Sequence, residues 1–312
     1  MNKSKKFLQP KTDKQPASYM KNIQQPFIGL ALAGLSALLF TGCNQTEESP
    51  TAAKTFSIVA AENFYGGVAR QIAGDSAAIT SILDNPHQDP HEFASDAVTA
   101  KAVADADIVI YNGLGYDDWM EKLLAAQGKA GRVVIRVADL INATNGDNPH
   151  IWYDPRTMPA LAAKLADILQ QTNTLATFQK EMDSVTAKIA EIKSMHAGTT
   201  VTATEPVFGW MIDALGFKSA NEGFQLAVMN DAEPSFQQTA DFEKSLNEKT
   251  VKILFYNHQV TDPTTQRMME LAQKSGVPIV GVTETQPPEA KDYADWMLTE
   301  LNATEAALME QH

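Results

Sequence analysis

The sequence has a single cysteine, Cys43, in 312 residues. An intrachain disulfide and any cysteine-based zinc or iron–sulfur site are therefore excluded, and a metal would have to be held by His, Asp and Glu. Basic residues are outnumbered: 25 Lys and Arg against 38 Asp and Glu give a net charge of −13 and a pI near 4.9. That balance argues against nucleic acid as a partner. There is no Walker A loop, no His-Glu-x-x-His and no Gly-x-Ser-x-Gly. Nucleotide hydrolysis, zinc-peptidase and serine-hydrolase chemistry thus lack their signatures, and no enzyme is expected. What is present is 44% hydrophobic content with 8% aromatics, ample for a packed core, in a length that suits about two domains of roughly 150 residues.

Residues 1–42 differ in kind from the rest. Lys3, Lys5, Lys6, Lys11, Lys14 and Lys21 stand against one acid, Asp13, for a charge of +5, whereas the 270 residues from Cys43 onward carry 19 basic and 37 acidic groups. The apolar run Phe27 to Phe40 has 14 residues, too short to span a bilayer comfortably but right for a signal-peptide core. Met20-Lys21-Asn22 followed by that run makes a compact signal by itself, which offers Met20 as an alternative start. The run ends in Leu39-Phe40-Thr41-Gly42-Cys43, which resembles a bacterial lipobox. The resemblance implies lipidation at Cys43 and export to the extracytoplasmic side of a membrane. Residues 43–54 are polar without an apolar period and read as a tether.

From Thr55 short β-branched runs alternate with helical stretches: strands over 55–60, 78–83, 107–112 and 132–137, helices over 62–73, 95–106 and 116–127. Ile108-Val109-Ile110-Tyr111 and Val133-Val134-Ile135 are apolar without alternation, as parallel strands covered on both faces should be. The second half repeats the pattern, with strands at 199–203, 251–256 and 278–282 and helices at 206–214, 236–247, 263–275 and 291–309. Asp262-Pro263 is a helix start: the Asp caps orphan N–H groups and Pro has none to lose. Between the halves, residues 157–196 carry no strand signal. Val185, Ile189 and Ile192 make a helical stripe there, with a break near Thr172-Asn173-Thr174. The fold class is α/β: two lobes with mainly parallel sheets, 55–156 and 197–312, joined across a cleft by a rigid connector helix within 157–196.

Two histidines follow proline, His91 in Asp89-Pro90-His91-Glu92-Phe93 and His150 in Asn148-Pro149-His150-Ile151-Trp152-Tyr153-Asp154-Pro155. Proline stiffens the backbone and restricts the residue before it, so each imidazole is presented from a rigid segment, which suits a metal ligand. In the second half Thr204-Glu205-Pro206 and Thr283-Glu284-Thr285 each follow a strand, at the edge where open α/β sheets bind ligands. Helix capping for Glu205 and a solvated turn for Glu284 are the plainer readings. His87, His196 and His312 have no such setting, and His258, in Tyr256-Asn257-His258-Gln259, is a reserve candidate.

Together these four motifs resemble the zinc/manganese substrate-binding lipoproteins of bacterial ABC importers, from about Thr55 to the C-terminus. The resemblance implies one divalent ion held between the lobes by His91 and His150 from the first and Glu205 and Glu284 from the second. It also implies a monomer that delivers the ion to membrane permease subunits served by a separate cytoplasmic ATPase. Trp152, Phe93, Phe208 and Trp210 would keep water out, with Asp154, Asp89 and Asn112 as possible acceptors behind the ligands. Zinc-selective relatives commonly place His where Glu205 stands, and many relatives have Asp at Glu284. Two imidazoles with two carboxylates form a hard site, which tilts toward Mn²⁺ or Fe²⁺ over Zn²⁺, while the general affinity order favours Zn²⁺. Residues 138–148 lack the His-rich insertion of many zinc-specific relatives. The competing expectation is a metal-independent surface adhesin.

Overall fold

The computed structural model describes residues 55–86, 93–260 and 262–310. The signal segment, Cys43 and the tether, with His87, Asp89, His91 and His312, lie outside the described residues. The first sheet arises from β1 (Phe56–Glu62), β2 (Ala77–Leu83), β3 (Ile108–Tyr111) and β4 (Val133–Arg136), interleaved with α1 (Asn63–Ala73), α2 (Ala97–Asp105), α3 (Asp118–Ala126) and the short α4 (Val137–Leu140). All its pairings are parallel in the order β2-β1-β3-β4, with Ile58 opposite both Ile79 and Ile108. All four residues of β3 are buried, which explains an apolar run without alternation. Gly66 lets α1 lie against β2, since a Cβ there would collide with Ser81 Oγ.

After a short 3-10 turn at Ile151–Tyr153 come α5 (Thr157–Leu169) and α6 (Thr172–His196). Gln170 ends α5 in the left-handed region, φ 56°, just ahead of the expected break. The stripe Val185, Ile189 and Ile192 of α6 is buried.

The second sheet repeats the first: β5 (Thr200–Ala203), β6 (Lys218–Ala220), β7 (Leu254–Asn257) and β8 (Ile279–Val282), parallel, in the order β6-β5-β7-β8. Its helices are α7 (Gly209–Ala214), α8 (Glu222–Met229), α9 (Phe236–Asn247), α10 (Pro263–Ser275) and α11 (Tyr293–Met309). Asp262 caps α10 by accepting the N–H groups of Thr264 at 2.7 Å and Thr265 at 3.1 Å, with Pro263 as the first helical residue. Three elements escape the sequence pattern, the one-turn α4 among them. The edge strand β6 is three residues long with no apolar run, and α8 follows it directly from Asn221, itself left-handed at φ 59°.

One hydrophobic core runs through both lobes and the connecting helices, including Ile58, Ile110, Trp152, Leu165, Val185, Phe208, Phe255 and Trp296. The expected cleft is largely closed: Trp152 stacks on Phe64 at 4.9 Å, and Tyr153 meets Phe208 at 4.9 Å and Trp296 at 5.5 Å. What stays open is a groove of about 300 Å³ lined by Asn148, Pro206, Trp210, Asp213 and Gln225 among others. Among the described residues no helix is long and apolar enough to cross a membrane.

Candidate metal centre

In each sheet the connections reverse direction between two central strands, β1 and β3 in the first and β5 and β7 in the second. The carboxyl ends of such strands form the natural ligand crevice of an open parallel sheet. Glu205 lies two residues beyond β5, Asn257 closes β7, and Glu284 lies two residues beyond β8. Glu205 is 3% exposed and Glu284 0%. A single amide joins them: Asn257 Nδ2 donates to Glu205 Oε2 and to Glu284 Oε1, both at 2.7 Å.

The backbone that carries Glu284 is held on three sides. Gln259 Oε1 accepts the N–H of Glu284 at 2.6 Å and that of Thr285 at 3.0 Å. Asn63, from the first lobe, donates to Gln286 O and accepts Gln286 N–H, both at 2.9 Å. Tyr153 O–H donates to Thr283 O at 2.8 Å.

His150 reaches the same place from the first lobe and is fully buried. Its Nδ1 lies 2.6 Å from Asn148 Oδ1, and the Asn148 amide is oriented by donating Nδ2–H to Pro206 O at 2.6 Å. An oxygen at that distance requires the proton on Nδ1. In the neutral imidazole Nε2 is then the bare nitrogen, the form that binds metals. That Nε2 is buried without a hydrogen-bond partner and lies 3.5 Å from Glu284 Oε2. Trp152 packs edge-on against the imidazole at 5.2 Å.

Tyr116 O–H donates to Glu284 Oε2 at 3.0 Å. Burial first, then the charges of Glu284 and Glu62, push the Tyr116 hydroxyl well above its ordinary pKa, so it remains a donor at neutral pH.

The structure therefore brings His150, Glu205 and Glu284 together. Among the described residues no three His, Cys, Asp or Glu side chains are already close enough to hold an ion, because Asn257 links this trio at one remove. His258 is not brought to them. Alternation along β7 sends Asn257 to one face and His258 to the other, where its exposed ring lies over Gly281 and 5.3 Å from Tyr256. Of the expected aromatic neighbours, Trp152 is buried against His150, Phe208 is buried between Tyr153 and Phe255, and Trp210 donates to Asn148 O at 2.9 Å. Phe93 stacks on Trp119 instead, at 4.7 Å. Asp154 pairs with Arg156 at 2.6 Å, while Asn112 donates Nδ2–H to Pro149 O at 2.9 Å, beside His150.

Electrostatics give the arrangement its chemical sense. The Glu205 and Glu284 oxygens that share Asn257 Nδ2 each lie 2.7 Å from it, so they are at most twice that, 5.4 Å, apart. Two ionised carboxylates at about 5 Å repel by roughly 3 kcal/mol at an effective dielectric of about 20. Two hydrogen bonds to charged acceptors, at about 1.5–3 kcal/mol each, are enough to offset that. Asn257 and Tyr116 bring hydrogen bonds but no positive charge. A bare imidazole nitrogen facing a carboxylate oxygen is an acceptor facing an acceptor, and a divalent cation satisfies both.

Sequence reasoning passed over Asn257, Asn148, Gln259 and Tyr116 as partners of the expected ligands. The only local signal is Asn148 two residues before His150; the others lie 25 to 168 positions from the residues they hold.

The model of the family described as ZnuA, zinc-uptake complex component A, periplasmic, matches residues 58–307. The chain belongs to this family. Its members are substrate-binding components of transport systems rather than enzymes. The manganese ABC transporter substrate-binding lipoprotein PsaA of Streptococcus pneumoniae serotype 4 is 23% identical over 269 residues, covering 78% of this chain and 85% of PsaA. The iron ABC transporter substrate-binding lipoprotein MtsA of Streptococcus pyogenes serotype M1 is 25% identical over 272 residues, covering 79% and 85%. Among solved structures, the periplasmic zinc-binding protein TroA of Treponema pallidum superposes with a TM-score of 0.68 at 17% identity, covering 81% of this chain and 99% of TroA. That likeness is one of fold: two α/β lobes and a helical connector.

Proposed function

We propose that this ZnuA-family chain is the extracytoplasmic receptor of a metal ABC importer, capturing one divalent transition-metal ion between its lobes and passing it to a membrane permease. The observation that carries the reading is the bare, buried Nε2 of His150 lying 3.5 Å from Glu284 Oε2, with Glu205 tied to Glu284 through Asn257. His150, Glu205 and Glu284 supply three donors. His91, outside the described residues, supplies the fourth on the strength of its motif. A metal-independent adhesin gives no role to a buried imidazole gathered with two buried carboxylates.

Cys43 carries the lipid anchor, the protein works as a monomer, and a separate ATPase supplies the energy. The donor set leans toward Mn²⁺ or Fe²⁺ over Zn²⁺ by its hardness. The welded core and the 25-residue α6 favour small side-chain and loop movements on binding over a swing of one lobe. Calorimetric titration of the protein from Cys43 onward with Mn²⁺ and with Zn²⁺ tests this. One ion per chain is expected, with His150→Ala weakening binding at least tenfold, about 1.4 kcal/mol. Unchanged affinity in His150→Ala would remove His150 from the site.

A further inference from the structure

Asn257 touches both acidic side chains of the proposed site and is itself locked in place. It is 1% exposed, its Oδ1 accepts Gln259 N–H at 3.0 Å, and its own N–H donates to Thr204 Oγ1 at 3.3 Å. With the oxygen end of the amide fixed by a donor, the nitrogen end must face the carboxylates, and it has one N–H for each. One oxygen of Glu205 and one of Glu284 are thereby engaged by a group that is not the ion. A carboxylate oxygen has lone pairs for both an N–H and a metal, but the N–H pins that oxygen toward Asn257 and works against chelation. In Glu284 the other oxygen, Oε2, which also accepts Tyr116 O–H, is the one turned toward His150 Nε2.

We propose that Asn257 is a specificity-determining positioning residue that holds Glu205 and Glu284 to one donor oxygen each. The ion then takes two oxygens from this pair rather than four. Donor number separates the candidate cargoes: Zn²⁺ is satisfied by four ligands, whereas harder cations that prefer oxygen accept six or more. The carboxylates therefore pull preference toward Mn²⁺ by their hardness, and Asn257 pulls it back toward Zn²⁺ by restricting their number. Gln259 joins the control of both ligands: its backbone N–H orients Asn257, and its side-chain Oε1 holds the Glu284 backbone.

The inference rests on the assignment of Glu205 and Glu284 above, and its test separates the two. Asn257→Leu keeps the branched shape and removes both N–H groups; Asn257→Ala removes them with less bulk. Mn²⁺ and Zn²⁺ affinities are measured by competition, and the ligands around bound Mn²⁺ by X-ray absorption. Each variant should raise the Mn²⁺/Zn²⁺ affinity ratio at least threefold and add at least one oxygen neighbour at Mn²⁺. Mn²⁺-loaded wild type should lack the short metal–carbon distance of a chelating carboxylate, a readout that needs no variant to fold. Chelation in wild type, or an unchanged ratio and oxygen count in the variants, would overturn the role of Asn257. If Glu205→Ala and Glu284→Ala bind Mn²⁺ as wild type does, the site assignment itself fails; if they lose binding while Asn257→Leu changes nothing, only this inference does.

Discussion

The two lobes share a strand order and each places a pair of buried acids at the carboxyl edge of its sheet, yet they treat the pairs in opposite ways. In the first lobe Glu62 ends β1 and Asp117 follows β3 in the loop, both fully buried. Asp117 accepts the backbone N–H of Asn112 at 2.6 Å and of Gly113 at 2.8 Å. Neither Glu62 oxygen receives an N–H or O–H, and the group it meets is the Asp117 carboxyl. Two carboxyls share such a contact only through a proton. Burial, then the Asp117 charge, pushes Glu62 well above the ordinary range, so Glu62 is the acid that donates. In the second lobe an amide stands between Glu205 and Glu284, and a bare imidazole nitrogen faces them. One pair is eased internally by a proton on Glu62; the other is the pair proposed to meet a cation. The lesson is that an acidic pair in a crevice is not a metal site by virtue of its charge. What stands between the acids, and what faces them, decides.

The sharpest way to break this contrast is to remove charge from each pair in turn. Glu284→Ala should lower Mn²⁺ affinity about a hundredfold or more, roughly 2.7 kcal/mol. Glu62→Gln, which imitates the protonated acid, should leave affinity within about threefold in the same calorimetric titration. The reverse ranking would assign the ion to the wrong lobe.

Next in size is stability. Asp117→Ala strands two buried backbone donors, those of Asn112 and Gly113, at about 1–3 kcal/mol each. A loss of about 2–4 kcal/mol in urea unfolding is expected, and about half that for Asp117→Asn, which keeps an acceptor oxygen for only one of the two donors.

The smallest expected effect concerns pH. Glu300, behind the Thr283–Glu284 loop, accepts Trp296 Nε1–H at 2.8 Å and lies 3.0 Å from the Tyr153 hydroxyl; burial raises its pKa from 4.5 to about 8. A carboxyl raised on folding binds its proton more tightly in the native state. Its contribution is therefore fully present below about pH 4.5 and lost as pH rises toward 8. Glu300→Gln should flatten that decline, gaining on wild type between those limits in metal-free thermal unfolding. Parallel stability curves for the two proteins would contradict the raised value.

Much of the fold was legible because it is written locally. The unbroken apolar run Ile108–Tyr111 announces a parallel strand, and Asp262-Pro263 announces a helix start. The two Pro-His motifs and the two post-strand Glu residues likewise single out candidate ligands. The rest was not legible, for the same reason in each instance: it is a contact between distant positions. Glu62 and Asp117 are joined only by the strand order, and Asn257 is coupled to Glu205 and Glu284 across 52 and 27 residues. His258 drew notice as a histidine, but the period of two along β7 turns its neighbour Asn257, rather than His258, toward the ligands. The strand β6 lacked any hydrophobic signal because three residues at a sheet edge need none.

The most direct test of an ion between the lobes is an anomalous difference map from crystals grown with Mn²⁺. One peak within roughly 2.0–2.3 Å of His150 Nε2, flanked by Glu205 and Glu284 oxygens, is expected, with none at Glu62 and Asp117. A peak at the Glu62–Asp117 pair, or none near His150, would contradict the assignment.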